Sequence, residues 1–415
     1  MRLKYKLSIS LLVALILPTL LMAQEPKVKT GIEVLKANNF NILDGKRVGL
    51  ITNPTGVDSN LRSTIDLFHE APNVKLVALF GPEHGVRGDV HAGDKVEGAI
   101  DQKTGTPILS LYGKTRKPTK EMLEGIDILV YDIQDIGCRS FTYISTMGLA
   151  MEAAGEAGIP FVVLDRPNPL GGNRMEGNLV EPASISFVSQ YPIPYVYGLT
   201  CGELANYLNK EGLTSTPCDL IVVPMEGWTR DMTFEETGLP WVAPSPHVPH
   251  ASSALFYPIS GILGELGFVS IGVGYTMPFE TFAAEWITDA DALATALNNK
   301  GLPGVAFRPI HYKPFYSVGK GTLLHGVQVH LTDPRIAPLS PIQFMVMEEM
   351  YKQAPDQPFF SDVTKGRFSM FDKVTGSKEI RTRFGKNYKW SDIQCYWDKD
   401  IKEFRQKSAP YLLYK

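Results

Sequence analysis

Five short apolar runs in the first half of the chain alternate with stretches of helical composition. The apolar runs are residues 47–52, 75–80, 126–131, 161–164 and 220–223. The stretches predicted to be helical are residues 63–70, 119–123, 140–157 and 202–210, and the third has Ser140 as N-cap and Gly158 as its stop. Uninterrupted apolar strands that alternate with helices are typical of a parallel sheet covered on both faces. The pattern therefore predicts an α/β protein.

The first 23 residues have the pattern of a secretory signal peptide. Basic residues fall within positions 1–6, an apolar stretch covers positions 7–22, and the small residue Ala23 precedes a polar segment. The apolar stretch is nearly long enough to span a bilayer, so a retained membrane anchor is the alternative. We expect cleavage of residues 1–23 and an exported protein, periplasmic or extracellular, with no stable membrane insertion afterwards.

The remaining chain, about 390 residues, is too long for one ordinary core, which predicts two domains. A proline-rich stretch at residues 238–250 separates the regular first half from a less regular second half. We assign the N-terminal domain to residues 31–240 and a second α/β domain to residues 241–415. In the second domain we expect strands at 268–275 and 323–331, helices at 289–298 and 341–351, and a C-terminal tail that docks on the fold.

Composition and motif searches exclude several function classes. A formal net charge of −3 gives no basis for nucleic-acid binding. The cysteines are scattered without a CxxC pair and are expected to be buried thiols: Cys138, Cys201, Cys218 and Cys395. The chain has no HExxH motif, no GxSxG motif and no GxGxxG motif after its first strand. We therefore expect no bound metal and no cofactor, and nothing in the sequence specifies an oligomeric state.

Charged side chains follow the apolar runs at corresponding places. The five continuations are NPTGVD, GPEHGVRGD, DIQDIGCRS, DRPNPLGG and PMEGW. Turn formation explains their glycines and prolines but not their carboxylates and arginines. Ligands of open α/β sheets bind outside the carboxyl ends of the strands. We expect one cleft at that end, facing the second domain and bringing together Glu83, Asp132, Asp135, Asp165 and Arg166.

The glycine-rich loop at residues 78–94 is the most reactive of these continuations. His84, His91 and Asp89 could ligate a metal, but their spacing in a loop defines no coordination geometry. Glu83 fits acid–base catalysis better, because a carboxylic acid partly buried in a crevice can protonate a leaving oxygen. A glycosidase also needs a second carboxylate or an acetamido group of its substrate. The carboxylates available for that role are Asp132, Asp135, Asp165, Glu176 and Glu226.

Nine motifs, in order along the chain, resemble the exo-β-N-acetylmuramidase family. They are GPEHGVRGD, SLYGKTRKPT, DIQDIGCRSFTYISTMGLAMEAA, VLDRPNPLGG, EGNLVEP, YPIPYVYGLTCGELA, VVPMEGWTRDM, TGLPWVAPSP and PFE. The resemblance runs from about residue 31 to the C-terminus. It implies a Rossmann-like N-terminal domain, a smaller α/β C-terminal domain and an active cleft between them. It also implies release of N-acetylmuramic acid (MurNAc) from the non-reducing ends of peptidoglycan-derived saccharides.

The site predicted on this basis has two groups of residues. We assign Glu83, Glu176 and Asp132 as catalytic. We assign to substrate binding His84, Arg87, Asp89, Asp135, Arg139, Asp165, Arg166 and Asn168. Among these, an arginine could bind the lactyl carboxylate of muramic acid through two parallel hydrogen bonds. The alternative is that each arginine pairs with a nearby aspartate, as Arg166 could with Asp165.

Three positions depart from the family pattern. His247 follows PSP where the family has Asn, Phe268 stands in place of an Asn, and Val273 stands in place of the Arg of GRGT. These departures leave the exact sugar open. An exported binding protein for sugars or muropeptides is the alternative function, and it would tolerate Gln in place of Glu83. A wall-associated esterase or deacetylase is disfavoured by the absent serine and metal motifs.

Overall fold

The structure is a computed structural model that describes residues 27–88 and 99–415. The first half of the chain holds α1 (Gly31–Ala37), β1 (Arg47–Thr52), α2 (Thr64–Glu70), β2 (Lys75–Gly81), β3 (Ala99–Ile100), β4 (Pro107–Ser110), β5 (Ile128–Asp132), α3 (Tyr143–Ala157), β6 (Phe161–Leu164), α4 (Cys201–Lys210) and β7 (Leu220–Val223). The strands form a sheet of order β3-β4-β2-β1-β5-β6-β7. Every neighbouring pair is parallel except β3 and β4. This sheet confirms the predicted α/β class and all five predicted strands.

Helices cover both faces of this sheet because its central strands are apolar on both sides. In β1, Leu50 packs in one core cluster with Phe68 of α2. The next residue, Ile51, packs in the cluster on the other face with Met147 of α3 and Leu204 of α4. Successive side chains of a strand point to opposite faces, so a strand covered on both sides reads as a continuous apolar run.

The predicted boundaries of α3 are half right. Gly158 ends the helix with a φ of +68°, as expected of a glycine stop. The N-cap is Thr142 rather than Ser140. The hydroxyl of Ser140 lies 3.2 Å from the hydroxyl of Tyr257 instead. The predicted helix at 119–123 is a single 3-10 turn, Glu121–Leu123.

The second half holds α5 (Ala251–Gly264), β8 (Thr281–Ala284), α6 (Ala290–Asn298), β9 (Val305–Tyr312), β10 (Leu324–Leu331), α7 (Pro341–Gln353), α8 (Phe368–Thr375), α9 (Lys378–Asn387), α10 (Gln394–Trp397) and α11 (Ile401–Ser408). Its sheet is antiparallel, with order β8-β10-β9. The predicted strand at 323–331 and both predicted helices are confirmed. The other 3-10 turns of the described chain are Asn41–Leu43, Pro182–Ser184, Glu235–Thr237, Lys365–Arg367, Trp390–Asp392 and Ala409–Tyr411.

The predicted strand at 268–275 is wrong. Gly272 and Gly274 have φ values of +83° and +93°, which bend the backbone out of an extended conformation. In this stretch Ser270 alone pairs with a strand, through an isolated bridge to Ala283. The segment forms a loop that faces the first half of the chain.

The C-terminal tail docks on the first half, as predicted. The ring of Tyr414 packs edge-on against Trp228, with 5.0 Å between ring centroids, and its hydroxyl donates a hydrogen bond to Asp165. All four cysteines are free thiols, but Cys395 is exposed and Cys218 is only partly buried, contrary to expectation. In residues 27–88 and 99–415, no helix combines the length and apolarity needed to cross a lipid bilayer.

Candidate active site

A cleft of about 420 Å³ lies between the two halves of the chain. The first half contributes the turn after β2 and the residues that precede α3. The second half contributes α5, the loop at residues 268–279 and the loop between β9 and β10. The lining includes Glu83, His84, Ser140, Tyr143, His247, Tyr257, Glu265, Val273, Ser317, Val318 and Arg367.

Glu83 and His84 reach the cleft because β2 ends in a tight turn. The N–H of Gly85 donates to the carbonyl of Pro82 at 3.1 Å, and His84 adopts a φ of +72°, which is uncommon for a residue with a side chain. Burial lowers the pKa of His84, against the opposing effect of the Glu83 carboxylate. Its Nδ1 is buried without a hydrogen-bond partner among the described residues. Burial therefore favours the neutral form of the imidazole beside Glu83.

A second carboxylate lines the opposite wall. Glu265 follows α5, and burial raises the pKa of its carboxyl, with Arg367 opposing that shift. The Arg367 guanidinium lies 3.6 Å from the Glu265 carboxylate, and its Nε donates to the Glu265 carbonyl at 2.8 Å. Sequence reasoning missed Glu265. Its one signal was its place at the start of ELGFVSIGVGYT, the stretch that holds two departures from the family pattern.

Two of the three departures line this cleft. The Nε2 of His247 lies 2.7 Å from the hydroxyl of Tyr316, and burial lowers the pKa of its imidazole, with His84 adding a smaller effect. Val273 also lines the cleft. Phe268 instead stacks on Trp286, with 5.4 Å between ring centroids. The substrate would therefore meet His247 and Val273.

Three predicted residues, Asp132, Asp165 and Arg166, lie at the carboxyl ends of neighbouring strands, as expected, but do not line the cleft. Asp132 and Arg166 are buried and pair with each other. Asp165 accepts hydrogen bonds from the Thr200 hydroxyl at 2.7 Å and the Gly202 N–H at 2.8 Å, and burial raises its pKa to about 6. Through these contacts Asp132, Asp165 and Arg166 hold the loops after the strands together. Arg166 pairs with Asp132 rather than with Asp165.

Asp135 and Asn168 have similar surroundings. Asp135 accepts hydrogen bonds from the Tyr197 hydroxyl and from the Gly137 N–H at 2.7 Å. Burial raises its pKa to about 7. The side chain of Asn168 donates to the Leu199 carbonyl at 2.9 Å. Both hydrogen bonds to Asp135 reach its Oδ2, and its Oδ1 is buried without a partner among the described residues.

Arg87 and Arg139 do not extend into the cleft. Arg87 pairs with Asp101 and Asp66, and its hydrogen bond to Asp101, with those from Thr104, lowers the pKa of Asp101 to about 2. Arg139 is buried, and its guanidinium donates to backbone carbonyls of both halves, including Ile193 at 2.6 Å and Val374 at 3.0 Å. Both arginines fasten parts of the chain together.

Glu176, predicted to be catalytic, joins the two halves away from the cleft. Its carboxylate accepts the N–H groups of Leu339 and Ser340 at 3.1 and 2.7 Å and pairs with Arg174 at 2.9 Å. Neither Glu176 nor Asp132 lines the cleft. Asp89, with His91, falls in residues 89–98, outside the described chain. Among the described residues, no three His, Cys, Asp or Glu side chains cluster closely enough to hold a metal ion.

The cleft has a carboxylate from each domain, and a pair of acidic side chains flanking one site is the arrangement that glycosidases use. Two family models extend this assignment along the chain. The model of the N-terminal part of exo-β-N-acetylmuramidase NamZ matches residues 48–252, and that of its C-terminal part matches residues 255–414. The chain belongs to the exo-β-N-acetylmuramidase family.

Individual relatives agree with this membership. The peptidoglycan β-N-acetylmuramidase NamZ of Bacillus subtilis (strain 168) is 47% identical over 392 residues, which cover 94% of this chain and 92% of the relative. A crystal structure of a DUF1343 family protein from Bacteroides fragilis NCTC 9343 matches with a TM-score of 0.91 and 63% identity. A second protein of that family and organism matches with a TM-score of 0.74 and 30% identity. Each alignment covers 94% of this chain and 99% of the solved chain.

Proposed function

We propose that this protein is an exported, exo-acting glycosidase that releases MurNAc from the non-reducing ends of peptidoglycan fragments. The observation that carries the proposal is the position of Glu83, which belongs to the GPEHG motif and lines the cleft between the two domains. Family membership and the name of the Bacillus subtilis relative support the substrate class.

Glu83 is the proposed general acid. In that role its carboxyl group donates a proton to the glycosidic oxygen while the bond to the sugar's anomeric carbon breaks. Burial lowers the pKa of His84, which disfavours a positive charge on the imidazole next to Glu83. A positioned acid of this kind contributes about 10²- to 10⁴-fold to a rate.

Glu265 is the proposed second group. It lines the cleft from the other domain, and the Arg367 guanidinium lies 3.6 Å from its carboxylate, where it partly offsets the rise in pKa that burial causes. As a carboxylate it would stabilise positive charge that develops at the anomeric centre or activate the attacking water. The substrate's own acetamido group is the alternative nucleophile. Substantial turnover by a Glu265→Gln variant would favour that alternative.

The deciding experiment compares two disaccharides of opposite order. Purified protein is incubated with MurNAc–GlcNAc and with GlcNAc–MurNAc, and mass spectrometry identifies the products. We expect free MurNAc from the first disaccharide and no cleavage of the second, whose non-reducing sugar is GlcNAc. Binding of the first disaccharide without turnover would favour the binding-protein alternative. Cleavage of the second would point to another sugar specificity.

Export is proposed from the leader pattern of residues 1–23, which lie outside the described chain. We expect the mature protein to begin after Ala23. Mass spectrometry of the protein recovered from the non-cytoplasmic fraction of the producing cell measures that terminus. A full-length chain in the membrane fraction would favour the anchor alternative instead.

A further inference from the structure

An exposed group of aromatic rings lies beside the cleft. The ring of Tyr275 stacks on Tyr312 and on Phe315, with centroid separations of 4.6 and 5.8 Å and interplanar angles of 23° and 28°. Phe315 is 68% exposed, and the next residue, Tyr316, is 49% exposed. We call Tyr275, Phe315 and Tyr316 the rim platform.

The rim platform is continuous with the cleft. The hydroxyl of Tyr316 lies 2.7 Å from Nε2 of His247, which lines the cleft. Ser317 and Val318, the next residues of the same loop, also line it. A molecule that extends out of the cleft on this side therefore meets the exposed rings.

The backbone holds the rim platform in place in the absence of a ligand. The N–H of Phe315 donates to the carbonyl of Gly274 at 2.7 Å. Gly274 has a φ of +93°, and a side chain there would collide with the carbonyl oxygen of Tyr316. The two loops can approach this closely because position 274 is glycine. A surface held in its binding conformation loses little entropy when a ligand arrives.

The chemistry of the rim platform suits a saccharide. Single exposed apolar residues are ordinary, but a contiguous apolar surface beside a binding cleft marks an interaction site. Aromatic rings offer flat apolar faces, and the tyrosine hydroxyl adds a polar edge. A pyranose has the same combination of an apolar C–H face and hydroxyl edges. The loop at residues 313–323 also carries Lys313 and Lys320 and no acidic residue, which suits an anionic glycan.

We propose that the rim platform binds the leaving saccharide, meaning the sugars beyond the bond that is cleaved. This inference rests on the proposed function. An exo-acting enzyme encloses the terminal sugar in its cleft, so the rest of the glycan must cross the rim. Tyr316 borders the cleft and meets the first leaving sugar, and Phe315, farther out, meets the next.

The test measures KM of the wild type and a Phe315→Ala variant on three MurNAc substrates. These are the tetrasaccharide of alternating MurNAc and GlcNAc, the disaccharide MurNAc–GlcNAc, and MurNAc β-fluoride, which has no leaving sugar. Removing the Phe315 ring should raise KM for the tetrasaccharide about tenfold and change KM for the fluoride by less than about twofold. KM for the disaccharide should also change by less than about twofold, because its single leaving sugar meets Tyr316 rather than Phe315. Leu323→Ala is the matched control, because Leu323 is 45% exposed in the same loop and lies outside the stacked rings.

Two outcomes would overturn the proposal: an equal rise of KM for fluoride and tetrasaccharide, or no rise for the tetrasaccharide. Thermal melting of each variant identifies loss of fold. A binding measurement in a Glu83→Gln background separates this proposal from the proposed function. If the wild type hydrolyses none of the substrates while Phe315→Ala still weakens tetrasaccharide binding, the proposed function fails and the rim platform stands. If affinity for the tetrasaccharide does not depend on Phe315, the rim platform fails.

Discussion

The carboxylate of Asp132 and the guanidinium of Arg166 form a buried, two-pronged ion pair between the ends of β5 and β6. The Nη2 of Arg166 lies 2.9 Å from Oδ2 of Asp132, and its Nε donates to Oδ1. The Thr64 hydroxyl also donates to Asp132, and Arg166 donates to the Val57 carbonyl at 2.8 Å. Two side chains predicted to meet substrate therefore hold three strand-end loops together.

Removing one member of this pair should destabilise the protein strongly. Asp132→Ala leaves a buried guanidinium without its counter-ion, which costs about 3–5 kcal/mol of unfolding free energy. The matched control is Asp127→Ala, which breaks the 2.8 Å pair with Arg47. That pair is solvent-accessible, so its loss should destabilise the protein far less than loss of the buried pair. Urea denaturation measures both values, and equal losses would show that the buried pair has no special role.

Glu83→Gln should abolish most of the turnover without unfolding the protein. We expect kcat to fall about 10²- to 10⁴-fold on MurNAc–GlcNAc, because glutamine cannot donate the proton. Glu226→Gln is the control. Glu226 also follows a strand of the parallel sheet, but its side chain is 61% exposed and pairs with Lys29 at 3.1 Å. Full activity of the Glu83 variant would remove this residue from the mechanism.

Arg367 should contribute to selectivity for the lactyl carboxylate. Among the described residues that line the cleft, it carries the permanent positive charge. Loss of a charge-assisted hydrogen bond costs about 1.5–3 kcal/mol, so Arg367→Gln should lower kcat/KM for a MurNAc substrate about ten- to a hundredfold. The matching GlcNAc substrate should lose less. Arg87→Gln is the comparison, because Arg87 is held by Asp66 and Asp101.

If kcat/KM fell equally for the MurNAc and GlcNAc substrates, Arg367 would act on Glu265 rather than bind the lactyl carboxylate. Arg87→Gln should lower the melting temperature and leave the ratio of the MurNAc and GlcNAc rates unchanged. A shift of that ratio in the Arg87 variant would return this arginine to the binding site.

Asp135 should make stability depend on pH in a defined window. Burial raises its pKa to about 7, whereas an aspartate in the unfolded chain has a pKa of about 3.9. The folded state thus keeps a proton that the unfolded state loses. Its contribution to stability is complete below about pH 4 and is lost as the pH rises to about 7. Asp135→Asn, which mimics the protonated acid, should flatten this part of the curve of unfolding free energy against pH.

If the unfolding free energy of the Asp135→Asn variant depended on pH as steeply as that of the wild type, this assignment would be contradicted. Glu226→Gln is a suitable control here as well, because its exposed side chain should leave the slope as it is in the wild type. Urea unfolding between pH 4 and pH 8 provides the measurement for all three proteins.

The sequence by itself determined the class of the first domain and the edge of the sheet where a site forms. A strand buried on both faces must be apolar at nearly every position. The strands β1, β5 and β6 can therefore be predicted from continuous apolar runs in the sequence. The carboxyl ends of parallel strands share one edge, so the charged loops had to gather there. Glu83 follows from these local patterns and from its motif.

Tertiary structure alone decided which charged side chains face the cleft. Asp132 and Glu83 both come at the end of a strand, but Arg166 and Thr64 enclose Asp132, whereas Glu83 borders the other domain. The partners of Asp132 lie 34 and 68 residues away in the chain. Local periodicity reports whether a strand is buried and carries no information about such distant neighbours.

The local sequence pattern likewise did not predict the second wall of the cleft. Helix α5 contains Pro258 and follows a proline-rich segment, so its sequence did not predict a helix. Gln343 of α7 stabilises α5 despite the proline. Its side-chain amide donates a hydrogen bond to the carbonyl of Pro258 and accepts one from the N–H of Leu263. That helix carries Glu265 to the cleft opposite Glu83. A contact across 80 residues, rather than helix propensity, therefore placed the second carboxylate.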